Sequence, residues 1–189
     1  MRKDLGKKMA FMPLPVLIIG TYDENGQANA MNAAWGVQCD MNQIMIALSD
    51  HKTTDNLQKT NAFTVAFATK DTEVISDYYG VVSGRNEDKI DKSGVHVRKS
   101  NFVNAPIIEE YPVTLECTVD SFEDELLFGT VVNVSVDEAY LTDQGRIDVD
   151  KVQPITFDPV TNSYRVIGEV IGHAFRDGLK LNRTIVKVK

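Results

Sequence analysis

Asn29-Ala30-Met31-Asn32-Ala33-Ala34-Trp35-Gly36 lies between two β-like segments yet holds little of what a strand interior prefers. Strand interiors favour branched and aromatic residues, which fit a pleated, half-buried surface. Here three alanines and two short amides take their place. Small side chains let the backbone approach whatever lies on it. Asn29 and Asn32 carry both donors and acceptors, and Trp35, the only tryptophan, adds a wide apolar face with one N–H. The stretch reads in two ways. It is a backbone platform for something flat with polar edges, or a tight barrel corner in which small residues permit curvature.

Working outward, residues 16–22 (Val-Leu-Ile-Ile-Gly-Thr-Tyr) form a short, apolar, partly β-branched run, the pattern of a buried strand. Asn25-Gly26 follows, a sequence suited to a type I′ hairpin turn, whose two central residues need positive φ. The platform is then the second arm of a hairpin, over about residues 27–38. A third strand is expected at 43–48. The chain next turns polar, with Ser49-Asp50-His51-Lys52-Thr53-Thr54-Asp55-Asn56-Leu57. Ser, Asp and Thr cap helix N-termini, and such a terminus attracts anions. The hydroxyls of Ser49, Thr53 and Thr54 with the Lys52 charge suit a phosphate. An ordinary capped surface helix is the alternative, and Asp50 and Asp55 work against an anion there.

Farther on, the pattern predicts a buried strand at 62–68, a helix from Asp71 to about Tyr79, and a turn at Ser83-Gly84-Arg85. A short charged helix or loop follows at 86–92, then an irregular stretch at 95–104. Two long strands are expected at 113–119 and 128–136, joined by the acidic turn Glu123-Asp124-Glu125. Phe157-Asp158-Pro159 and Asn162-Ser163 read as loops, and 164–173 as a late strand or extended run. Six or so strands, two helices and no βαβ alternation predict a mainly β fold with attached helices, a β-barrel. One domain over 1–189 is expected, with an N-terminal arm at 1–12 and a C-terminal tail at 174–189.

The formal net charge is −7, which argues against general nucleic-acid binding. Pro13 and Pro15 interrupt the apolar run after the basic start, and no stretch is long enough to cross a bilayer, so the protein reads as cytoplasmic. Cys39 and Cys117 form no CxxC and read as two buried thiols in a reducing compartment. His51, His96 and His173 are too dispersed for a metal motif, and no metal site is expected. No glycine-rich nucleotide fingerprint and no serine-nucleophile elbow occurs. His173, after a β-run and before Asp177-Gly178, is a weak catalytic candidate, with a structural histidine as the alternative.

Taken together, Asn29-x-Met31-x-x-Ala34-Trp35-Gly36, Ser49-x-x-Lys52-x-Thr54-x-Asn56-Leu57, and Ser83-Gly84 with Asp88-Lys89 resemble the flavin reductase-like, FMN-binding split-barrel family, which includes flavoredoxin. The resemblance spans about residues 14–172. It implies a homodimer in which non-covalent FMN lies near the subunit interface. By matching position, Asn29, Met31, Asn32, Ala33, Ala34 and Trp35 would line the isoalloxazine and ribityl side. Ser49, Lys52, Thr53 and Thr54 would take the phosphate, while Ser83 and Lys89 would approach from the polar segment. The chain departs from many members in having Cys39-Asp40-Met41-Asn42 where they carry proline, and Lys52 where they carry arginine, which has a bidentate fork that lysine lacks. The implied activity is hydride or electron transfer from NAD(P)H through FMN to a flavin or protein acceptor. The alternatives are an FMN electron carrier without its own NAD(P)H site, and a non-redox dimeric β-barrel binding module.

Overall fold

The computed structural model describes residues 1–181; residues 182–189, half of the tail expected at 174–189, lie outside them. In chain order the elements are β1 (Leu14–Pro15), β2 (Leu17–Tyr22), β3 (Ala28–Ala33), β4 (Gly36–Gln38), β5 (Gln43–Ala47), α1 (Lys52–Thr60), β6 (Ala62–Phe67), α2 (Glu73–Val81) and α3 (Lys89–Ser93). They continue with β7 (Val97–Lys99), β8 (Pro106–Ile108), β9 (Val113–Glu123), β10 (Leu126–Val136), α4 (Val149–Val152), β11 (Ile155–Asp158) and β12 (Ser163–Val166).

The main sheet has the order β3-β2-β6-β9-β10-β5-β4. Its two outermost strands, β3 and β4, are consecutive in the chain and joined by Ala34-Trp35 alone. A sheet whose ends are tied so closely must curl on itself, so the platform stretch is also the barrel's corner. The barrel-corner reading of it therefore holds. The second hairpin arm expected over 27–38 is split: β3 pairs with β2, and β4 crosses to β5. Gly36 stands at the crossing, where a Cβ would meet Leu17 Cδ1 at 2.5 Å. The barrel is incomplete on one side. β5 pairs with β10 only as far as Thr130, and the remainder of β10 pairs with β9 alone.

β2 is buried on both faces, which explains its unbroken apolar run. Leu17 and Ile19 point into the barrel with Ile46, Phe63 and Leu127. Ile18 points outward against Ala30, Ala66, Tyr79 and Ile108. Each fully buried side chain of this size contributes about 1.5–3 kcal/mol.

The two tight hairpins differ from expectation. At 23–26 only Gly26 has positive φ, +79°. The Asp23 carboxylate accepts the N–H groups of Asn25 and Gln27 at 2.9 Å each, and this Asx turn takes the place of type I′ geometry. Positive φ at both central residues occurs instead at Asp124 (50°) and Glu125 (64°), between β9 and β10. The stretch read as irregular contains β7, paired with β8. Phe157 and Asp158, read as loop, end β11, and the late strand stops at Val166. Asp71 does not cap α2. It lies in a 3-10 turn, Lys70–Thr72, that Thr69 and Thr72 close with a Thr69 N–H to Thr72 Oγ1 bond of 2.9 Å.

Candidate functional site

β3 is an outermost strand, and one of its edges has no strand partner. Backbone N–H and C=O groups along that edge are not spent on a neighbouring strand, as a backbone platform requires. The strand's side chains hold it in place. Met31 and Ala33 enter the barrel core, and Asn32 Nδ2 donates to Ser76 O on α2 at 2.9 Å. Asn32, Ala33, Ala34 and Trp35 line a cavity of about 270 Å³ whose far wall is Leu48, Ser49 and His51. Ser49 Oγ and His51 Nε2 share a hydrogen bond of 3.1 Å there. Trp35 is 60% exposed, a large apolar face left at the rim.

The other end of β3 meets the start of α1. The helix is capped at His51, not by the expected Ser or Asp. Thr54 Oγ1 accepts the His51 N–H at 3.0 Å and donates to His51 O at 2.7 Å. Thr53 Oγ1 accepts from Asn29 Nδ2 at 2.9 Å, and Asn56 Nδ2 donates to Thr21 Oγ1 at 3.0 Å. These buried bonds, each about 1 kcal/mol net, pin α1 to the barrel. They also engage both threonine hydroxyls within the protein.

Asn29, Lys52, Gly84, Arg85 and Lys89 line a second, polar cavity of about 240 Å³, to which Asp23, Glu87 and Asp88 contribute carboxylates, three against the three cations. Lys89 is 4% exposed. Its ammonium donates to Tyr79 O and Val82 O, both at 3.1 Å, and no ion pair joins it to a carboxylate among the described residues. Burial therefore pulls its pKa down to about 8. Lys52 Nζ lies 3.6 Å from Asp23 Oδ2. Asp23 titrates below the usual carboxylate range, chiefly through the Gln27 N–H it accepts and, against its partial burial, with help from Asn25 and Lys52. The two acids that argued against an anion near α1 share one cationic partner, which offsets part of their charge. Arg85 reaches from the 83–88 loop to Asp50 (2.6 and 3.2 Å) and Asp55 (3.0 and 3.1 Å). Gly84 has no side chain for a direct reason: a Cβ there would collide with Asn29 Oδ1.

The structure thus sorts the sequence candidates into two neighbouring cavities on one strand. Met31, Asn32, Ala33, Ala34, Trp35 and Ser49 gather at the platform; Asn29, Lys52 and Lys89 gather at the cationic end. Thr53 and Thr54 lie behind these walls. Ser83 lines neither cavity, and its hydroxyl accepts the Arg85 N–H at 3.3 Å. His173 also lines neither; its backbone N–H donates to Asp177 Oδ2. Sequence reasoning missed His51, Glu125 and Phe157 at the platform and Gln27 at the cationic end. Only His51 carried a local signal, its place in the capping stretch. Among the described residues no group of three or more His, Cys, Asp or Glu could hold a metal ion, and no helix is long and apolar enough to cross a membrane.

Residues 9–150 match the family described as Flavin reductase like domain. Flavoredoxin of Desulfovibrio vulgaris (Miyazaki F) is similar in structure, with a TM-score of 0.91 and 32% identity over 94% of this chain and 100% of that one. Flavoredoxin from Methanosarcina acetivorans has a TM-score of 0.87 and 27% identity, over 96% and 100% of the two chains. An FMN-binding domain of a flavin reductases-like enzyme from Shewanella baltica OS155 has a TM-score of 0.75 at 17% identity, over 84% and 88%, and shows the fold alone.

Proposed function

The chain belongs to the flavin reductase-like domain family, with a mainly β split-barrel fold, and from that premise we propose that it is an FMN-dependent oxidoreductase. It would pass hydride or electrons from NAD(P)H to a flavin or protein acceptor, as a cytoplasmic homodimer. One observation supports this above the others: an unpaired strand edge with a small-residue floor and a polar cavity that holds Lys52 and the buried Lys89 lie along the same strand, β3. A six-residue strand spans about 20 Å, comparable with a phosphorylated, ribityl-linked tricyclic ring. The two cavities together fall within the volume range of small-molecule sites.

The residues present fit FMN. Lys89 and Lys52, with the Asn29 amide, suit a phosphate. Lys89 in particular uses two of its three ammonium protons on carbonyls. Ala33, Ala34 and Trp35 suit the ring, with backbone groups of β3 reading its polar edge. Bound flavin supplies the two-electron chemistry; the protein supplies position and electrostatics. Trp35 and Phe157, which line the platform cavity, would shield a bound ring from water, and backbone N–H donors at its polar edge would favour charge on the reduced ring. The Ser49–His51 pair is a hydrogen-bonding wall for the same cavity.

Addition of FMN to flavin-free protein should quench FMN fluorescence at one site per chain, and Trp35→Ala should weaken that binding. Parent-like affinity in Trp35→Ala, or no binding by the parent, removes the assignment. A second reading, an FMN electron carrier without its own nicotinamide site, is favoured by the likeness to the two flavoredoxins. Rapid bleaching of the flavin on mixing with NADH or NADPH supports the reductase, and persistence of the oxidised spectrum supports the carrier.

A further inference from the structure

The ribbon β7–β8 and the open end of the β9–β10 hairpin border a polar cavity of about 230 Å³. It shares no residue with the two cavities along β3. Leu115 of β9 packs against the barrel core, so Thr114, one residue earlier, faces the opposite side of the sheet. Ser135 is its register partner on β10, and both residues line the cavity. Their hydroxyl oxygens are withdrawn from bulk water, yet neither has a hydrogen-bond partner. Thr114 is only 2% exposed. Of the three such orphaned side-chain oxygens among the described residues, two meet here. An unmet buried hydroxyl costs stability, and native structures carry few of them. Two on one wall mark a place that another molecule completes.

The mouth of the cavity supplies charge. Arg98 on β7 and Glu109 after β8 have side chains 45% and 50% exposed. Their ion pair is long, 3.6 Å from Nε to Oε1, and the guanidinium forms no hydrogen bond among the described residues. Asp137, after β10, adds a second carboxylate. Its N–H donates to Pro112 O at 2.9 Å, and its Oδ1 accepts the Ala139 N–H at 2.9 Å. One cation and two carboxylates restrict what can enter. A lone anion meets Arg98 but also both acids. A lone cation leaves the guanidinium donors unused. A molecule with both a carboxylate and an ammonium answers all three groups. Size points the same way: at about 30 Å³ per water, the cavity holds about eight non-hydrogen atoms, the scale of a small amino acid.

We propose that this cavity binds a small zwitterion of the amino acid class, with Arg98 taking its carboxylate, Asp137 and Glu109 its ammonium, and Thr114 and Ser135 completing their hydrogen bonds on it. The ligand removes the cost of the two unmet hydroxyls, so it stabilises the folded chain. The site uses neither flavin binding nor redox chemistry.

The test titrates the full chain, 15N-labelled and without flavin, with glycine, L-threonine and L-aspartate, and separately with acetate and ethylamine. At least one amino acid is expected to shift the Thr114, Ser135 and Asp137 amide signals saturably and to raise the melting temperature. Acetate and ethylamine, each carrying half of the charge, should bind about tenfold more weakly or less. Arg98→Gln should lower the amino acid's affinity by about 10- to 150-fold, the range for hydrogen bonds to a charged group. Thr114→Val should lower it by about two- to tenfold, while the free variant melts at or above the parent's temperature because an unmet hydroxyl is gone. Dispersion of the amide spectrum shows that each variant folds. Shifts that are absent or never saturate indicate a cavity filled by water alone and overturn the proposal. Binding of acetate or ethylamine as tight as that of the amino acids, parent-like affinity in Arg98→Gln, or a lower melting temperature in Thr114→Val also overturns it.

Discussion

The two ends of β3 are built by opposite means. At the platform end Ala33 and Ala34 keep side-chain bulk off a strand edge that no other strand pairs, and the cavity beside them is partly apolar. At the cationic end the cavity is made of side chains that already hold one another: Lys52 with Asp23, Arg85 with Asp50 and Asp55, Asn29 with Thr53. A backbone site is difficult to abolish by a single substitution, because its donors belong to every residue. A side-chain site is preorganised but depends on a few charges. The two ends should therefore answer differently to mutation, and that difference is measurable with two ligands, FMN and phosphate-free riboflavin.

The largest effect is expected from Lys89→Met. A hydrogen bond to a charged group contributes about 1.5–3 kcal/mol, so FMN affinity should fall by about 10- to 150-fold while riboflavin affinity stays within about twofold. Equal losses for the two ligands would show that Lys89 supports the whole site and reads no phosphate. The pH dependence should be nearly as strong. Free Lys89 titrates at about 8, and a bound phosphate raises that pKa, so binding takes up a proton once the free amine is neutral. FMN affinity should then be full below pH 8 and decline by up to about tenfold per unit above it. A calorimetric titration at pH 7 and 9 would check this, and Lys89→Met should remove the slope.

Ala34→Leu should cost about tenfold for FMN and riboflavin alike, since it fills the platform without touching a charge. A loss confined to FMN would merge the two ends into one. The smallest effect belongs to Arg85→Ala. Its pairs with Asp50 and Asp55 are exposed and individually weak, but removing it frees two carboxylates near the cationic cavity. FMN binding should weaken severalfold in low salt and recover as salt screens the charges. Thr54→Ala is expected to act through α1, because that hydroxyl is committed to both backbone groups of His51. Its signature is a lower melting temperature accompanying any change in affinity.

The local pattern sufficed for the mainly β class, the β2–β3 hairpin, the buried strands and the start of a helix near residue 52. Each depends on neighbours within a few residues: alternation, a short apolar run, Asn-Gly, a cluster of capping residues. The residue types of the site were legible too, because small residues in a strand and hydroxyls before a helix are unusual enough to register. What local pattern could not supply was the partner of each group. Thr53 looked like a phosphate ligand until Asn29, 24 residues away, was found holding it. Asp50 and Asp55 looked hostile to an anion, yet Arg85, at least 30 residues away, holds both and offsets part of their charge. Glu125 and Phe157 reach the platform only because β10 lies beside β5 and β11 returns to β1. The sequence alone determined which groups could bind, since that is a property of side-chain chemistry. Only the tertiary structure decided which of them remain available, because a hydrogen bond or charge already paired within the fold is no longer free for a ligand.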